Sequence, residues 1–124
     1  MRKIISTNNA PKAVGPYSQA IEANGTLYVS GQLPVNPTDG SVPESIEAQT
    51  EQSLKNIGAI LTEAGYTYKD VVKSTVLLTD MNDFAAMNAV YARFYTEQMP
   101  ARVCYQVDKL QMDVKVEIET VAVK

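Results

Sequence analysis

Apolar positions along this chain change period several times, and each change marks an element. From about Glu44 to Ala64, the residues Ile46, Leu54, Ile57, Ile60, Leu61 and Ala64 recur at helical spacing. Gly65 then stands where a helix ends in a left-handed cap. A second helical stripe, Phe84, Met87, Tyr91 and Phe94, follows Asp80 and Asn82, either of which can cap it. Between the helices, Val71 to Leu78 is short and rich in β-branched residues, which predicts a strand largely covered on both faces. Toward the N-terminus, the turn signal Asn24-Gly25 precedes Thr26 to Gln32, the second strand of a hairpin, and a short strand is expected near Ile4 and Ile5. Pro11, Gly15 and Pro16 make the intervening stretch extended, with a rigid turn that fixes Tyr17. Val35 to Gly40 is turn chemistry, and strands at about 102–107 and 115–122 follow Pro100.

The order β-β-β-α-β-α-β-β describes one α+β domain spanning 1–124, most economically a six-stranded mixed sheet with two helices on one face. Alternation assigns the faces of the last two strands. Val103, Tyr105 and Val107 are expected toward the core, with Arg102, Cys104 and Gln106 opposite; Val116 and Ile118 likewise oppose Lys115, Glu117 and Glu119. On that reading Arg102 and Glu117 share the second face, where a ligand carboxylate could meet an arginine fork with an acid/base beside it. The plain alternative is a solvated face with a surface ion pair between Glu117 and Lys115 or Lys73. With Cys104, Val121 and Val123 among these charges, the face is too apolar for a fully wet surface. Association of identical copies is the expectation.

Composition removes several chemistries. The chain has no histidine, so Ser-His-Asp and Cys-His machinery is excluded, and a zinc site would rest on one thiolate plus carboxylates. No metal is expected. Nor is there a Gly-rich phosphate loop, so no nucleotide cofactor is expected. With 11 basic and 14 acidic residues and no basic block, nucleic acid is not an indicated partner. A single cysteine, an N-terminus without an apolar signal region and no run long enough to cross a bilayer lead to the expectation of a cytoplasmic protein away from membranes.

Six motifs in order carry a resemblance. Ala13-Val14-Gly15-Pro16-Tyr17-Ser18-Gln19-Ala20 comes first, then Val29-Ser30-Gly31-Gln32-Leu33-Pro34, Val72-Lys73-Ser74-Thr75-Val76 and Asp80-Met81-Asn82-Asp83-Phe84 with Asn88. Pro100-Ala101-Arg102 and Val116-Glu117-Ile118-Glu119 complete the set. Together they resemble the RidA-type enamine/imine deaminases of the Rid (YjgF-like) family. The resemblance implies a chorismate-mutase-like fold, a homotrimer with clefts between subunits, and hydrolysis of 2-aminoacrylate and 2-aminocrotonate, or their imines, to 2-keto acids and ammonium. It also implies that Arg102 binds the substrate carboxylate and that Glu117 handles the hydrolytic water. Tyr17, Ser30, Gly31, Asn88 and Cys104 would complete the pocket. Glu97-Gln98-Met99 is shorter than the corresponding loop of bacterial members, and Gln111 stands where a proline often follows the leucine; both affect the cleft rim. Cys104, without a histidine to activate it, reads as a packing residue rather than a nucleophile. A regulatory trimer that binds 2-keto acids without turnover is the alternative of a different class, and a ribonuclease fits poorly with the charge and the missing histidine.

Overall fold

The computed structural model describes residues 1–124. Strands β1 (Arg2–Ile5), β2 (Ala20–Ala23) and β3 (Thr26–Gln32) are followed by helix α1 (Ile46–Ala64), strand β4 (Val71–Leu78), helix α2 (Phe84–Phe94) and strands β5 (Ala101–Gln106) and β6 (Val116–Val123). They form one six-stranded sheet in the order β1-β2-β3-β6-β4-β5, antiparallel except for the parallel pair β4 and β5. This is the expected mixed sheet.

Local chemistry explains the element ends. Asn24 and Gly25 both have positive φ, 51° and 76°, the twist that a two-residue hairpin loop requires between β2 and β3. Ser45 caps α1 by accepting from the Ala48 N–H at 3.1 Å, and Gly65 closes it in the left-handed conformation. Beneath α1, Leu54, Ile57 and Ile60 pack against Leu27, Val76 and Ile118, each burial contributing roughly 1.5–3 kcal/mol. Two buried amides on α1 position the connections around the sheet. Asn56 donates to the Leu33 and Val35 carbonyls at 3.0 and 2.9 Å, and Gln49 accepts from the Lys115 N–H at 2.8 Å.

Three sequence expectations need correction. Asp80 caps a short 3-10 turn at Met81–Asp83, accepting from Asn82, and α2 begins at Phe84 with no side-chain cap, so neither Asp80 nor Asn82 caps it. β4 is covered on one face only; Val72 is exposed on the other. The facing of β5 is the reverse of that expected. Val103 and Tyr105 are 37% and 56% exposed, whereas Arg102 and Cys104 turn toward the helices. The cause is the position of β5 as a parallel edge strand beneath α2. Its inner row can be covered by an arginine whose guanidinium lies over aromatic rings of α2.

Candidate active site

Arg102 is held by one face of α2. The i, i+4, i+7 spacing of Phe84, Asn88 and Tyr91 brings all three over β5. The guanidinium carbon lies 4.9 Å from the Tyr91 ring centre and 5.6 Å from that of Phe84. Nη1 donates to Asn88 Oδ1 at 2.8 Å. None of the chain's three ion pairs includes Arg102, so the rest of its fork has no carboxylate in its own chain. At the other end of β5, Gln106 Oε1 accepts from the Met81 N–H at 2.8 Å, fastening the strand to the 3-10 turn that precedes α2. Cys104 is half-buried beside Arg102. Burial pushes its thiol pKa up against the pull of that cation, which keeps it protonated and agrees with a packing role.

Glu117 lies on the opposite face of the sheet. It is in register with Leu77, as is Tyr105, whereas Arg102 shares its register with Ser74 and, through Ser74, with Thr120. The expectation that Arg102 and Glu117 share one face of one chain is therefore overturned, because β5 and β6 present opposite alternations. Glu117 is half-buried and makes no ion pair with Lys115 or Lys73. Burial raises its carboxyl pKa above the ordinary 4.5, and the neighbouring Glu119 charge raises it further.

A bulge in β3 makes room for this carboxylate. Val29 pairs with Thr120 and Gln32 with Ile118, so Ser30 and Gly31 together oppose Glu119 alone. The Glu117 carboxylate rests against Gly31, where any Cβ would collide with it. Gly31 thus serves the glutamate's position, a reason that its place at a strand end does not reveal. Ser30 works beside it: its hydroxyl donates to the Ser18 carbonyl at 2.6 Å and its N–H to the Gln19 carbonyl at 2.9 Å. These bonds fasten the segment that carries Tyr17. Gln19 fastens it a second time, its buried side chain accepting from Thr7 at 2.7 Å and donating to Pro11 at 2.8 Å. Tyr17 is exposed and its hydroxyl accepts from the Val14 N–H at 3.3 Å. It borders a cleft of about 440 Å³ with Gly31, Gln32, Gln111 and Met112. A second groove of about 380 Å³, bordered by Tyr68, Phe94 and Glu97, contains none of these groups.

The chain therefore holds the candidate residues in two separate groups, Arg102 with Asn88 and Cys104, and Glu117 with Gly31, Ser30 and Tyr17. Sequence reading missed the ring support of Arg102, because Phe84 and Tyr91 at helical spacing read as ordinary core. The signal was the polar Asn88 inside that stripe. No group of three His, Cys, Asp or Glu side chains is placed to hold a metal ion, and no helix is long and apolar enough to cross a membrane.

Residues 7–124 match the family model described as Endoribonuclease L-PSP. The chain belongs to that family, the Rid (YjgF-like) proteins. Among its Rid relatives, a RutC family protein of Pyrococcus horikoshii is 52% identical over 125 residues, covering 100% of this chain and 99% of the relative. The 2-iminobutanoate/2-iminopropanoate deaminase of Escherichia coli K12 is 49% identical over 127 residues, again covering 100% and 99%. The crystal structure of Escherichia coli TdcF with bound serine matches with a TM-score of 0.96 and 45% identity, covering 98% of each chain. The Rid fold and the family identified from the six motifs are both confirmed.

Proposed function

We propose that this chain hydrolyses small 2-imino acids and their enamine tautomers to 2-keto acids and ammonium, in clefts formed between identical subunits. One observation carries the reading. Arg102 and Glu117 lie on opposite faces of their own sheet, each without an ionic partner, so a site that uses both needs the Arg102 edge of one copy against the Glu117 face of the next. A ring of three, the assembly that the Rid resemblance implies, would close such contacts. The open sheet face suits this. Tyr28, Val72, Val103, Tyr105 and Val123 are all exposed there or at its edge, more apolar surface than the sequence pattern assigned to it. Relatives named as 2-imino acid deaminases support the substrate class.

The chemistry follows from the two halves. The Arg102 fork takes the substrate carboxylate through paired charge-assisted hydrogen bonds and so fixes C2 of the imine. Ionised Glu117 takes a proton from a water as its oxygen bonds to C2, and the C=N electrons move to nitrogen. With the imine protonated, return of that proton to nitrogen makes an ammonium leaving group. The C–N bond breaks as the hydroxyl oxygen forms the new carbonyl and gives its proton to Glu117, which passes it to the departing ammonia, yielding the keto acid and ammonium. The enamine enters the same course once C3 is protonated. Cys104 takes no covalent part.

The test is ammonium release from 2-aminoacrylate generated in place by a serine dehydratase. Glu117→Gln keeps the size of the side chain but cannot accept the water's proton, so turnover is expected to fall about 10²-fold or more with the fold intact. Loss of thermal stability with turnover per folded site unchanged would make Glu117 a structural residue and overturn the mechanism.

A further inference from the structure

A planar cation that must grip a carboxylate with two parallel bonds needs its plane fixed and its rotation within that plane fixed. Asn88 sets the rotation through Nη1, but one hydrogen bond leaves the plane free to swing. We propose that Tyr91, with Phe84, is a positioning residue whose ring face sets the plane of the Arg102 guanidinium for the substrate carboxylate. This inference rests on the reading of Arg102 as the carboxylate anchor.

The surroundings favour rings over any ionic support. A carboxylate beneath Arg102 would occupy the same donors as the substrate, whereas an aromatic face attracts the cation and leaves the fork's edge open. Tyr91 is itself held in place. Its ring lies 4.7 Å from that of Tyr95, which meets Tyr68 edge-on at 5.7 Å, and the Tyr68 hydroxyl donates to the Leu54 carbonyl of α1 at 2.6 Å. This aromatic series links the arginine's support to the largest helix. The Tyr91 hydroxyl is buried with the Ser74 hydroxyl beside it, so the face of the ring is the part of Tyr91 that meets Arg102. Burial raises the phenol's pKa, which keeps the ring neutral.

The experiment replaces Tyr91 by phenylalanine and then by phenylalanines of increasing ring fluorination. Fluorine withdraws charge from the ring face with little change of shape. The readouts are the dissociation constant for 2-oxobutanoate, measured by calorimetry on the assembled protein, and the thermal midpoint. Tyr91→Phe is expected to bind within about threefold of the parent, and affinity then to weaken stepwise to about tenfold at full fluorination while the thermal midpoint does not follow the series. Phe84→Leu, at a half-buried position, gives a second reading free of any folding failure at position 91, with weaker binding expected. Flat affinity across the fluorinated series, with the parent binding and Arg102→Lys not binding, overturns the proposal while leaving the anchor in place. A parent that binds no 2-oxo acid overturns the anchor itself, and this inference with it.

Discussion

Gly31→Ala isolates the position of the Glu117 carboxylate from everything else in the fold. The backbone at Gly31 lies outside the positive-φ region, so alanine can adopt it without strain. The added methyl would lie 2.9 Å from Glu117 Cδ, 3.2 Å from Cγ and closer still to Oε2. Ordinary contact between such atoms begins near 3.4–4 Å, so the whole carboxylate must turn away by roughly an ångström or more. Misplacement on that scale costs about 10²-fold in rate, close to the loss expected for Glu117→Gln. Stability responds differently. Alanine for glycine stabilises by about 0.4–1 kcal/mol through the unfolded chain, and an off-rotamer glutamate costs about 0.5–1.5 kcal/mol, leaving a net change within about 1 kcal/mol. The assay is dehydratase-coupled ammonium release per folded site, beside a thermal melt of the same preparation. Full turnover in Gly31→Ala would refute the reasoning, since the carboxylate could then act from another position.

Further outcomes are expected. Arg102→Lys leaves the fold intact but removes most activity, because a point charge replaces a planar fork; near-normal kinetics would place the carboxylate elsewhere. Glu119→Gln moves the acidic limb of the pH–rate profile to lower pH. Glu117 must be ionised to act as the base, Glu119 raises its pKa, and removing that charge lets it ionise earlier, so an unmoved limb would contradict the assignment. The same raised pKa makes the stability that Glu117 contributes greatest below its ordinary value of 4.5 and lost as pH rises through the folded value. Val103→Asp, at an exposed position, is expected to leave the monomer folded but to abolish the trimer and its activity together, as light scattering and the coupled assay would show. A fully active monomer would end the shared-cleft account.

Much of this was legible in the sequence, and the errors have a common physical origin. The stripe ending at Gly65 and the Asn24-Gly25 turn each state their element through local backbone chemistry, and the structure follows them. Alternation also placed Val116 and Ile118 correctly, because β6 is a central strand with one face in the core. It failed at β5, where an edge strand turns Tyr105 outward and Arg102 inward. Periodicity reports which residues are apolar, not which face of an edge strand the core will cover. The role of Gly31 was hidden for a related reason. It depends on a bulge that brings β3 against a side chain 86 positions later, and no local pattern encodes that approach. Phe84 and Tyr91 were visible as apolar positions, but their use as a support for a cation needed the inverted facing of β5.

The central claim, that each site takes Arg102 from one subunit and Glu117 from another, is tested most directly by mixing two inactive proteins. Arg102→Lys and Glu117→Gln are unfolded together in equal amounts, refolded, and assayed for ammonium release. In randomly assembled trimers a cleft is intact when a Glu117→Gln subunit supplies the arginine and an Arg102→Lys neighbour supplies the glutamate. Half of the subunits qualify on each side, so the mixture should recover roughly one quarter of parental activity. Recovery near that level is the result this account predicts. Activity no greater than the sum of the two variants refolded separately, with trimers formed, would show that the two residues do not meet across subunits.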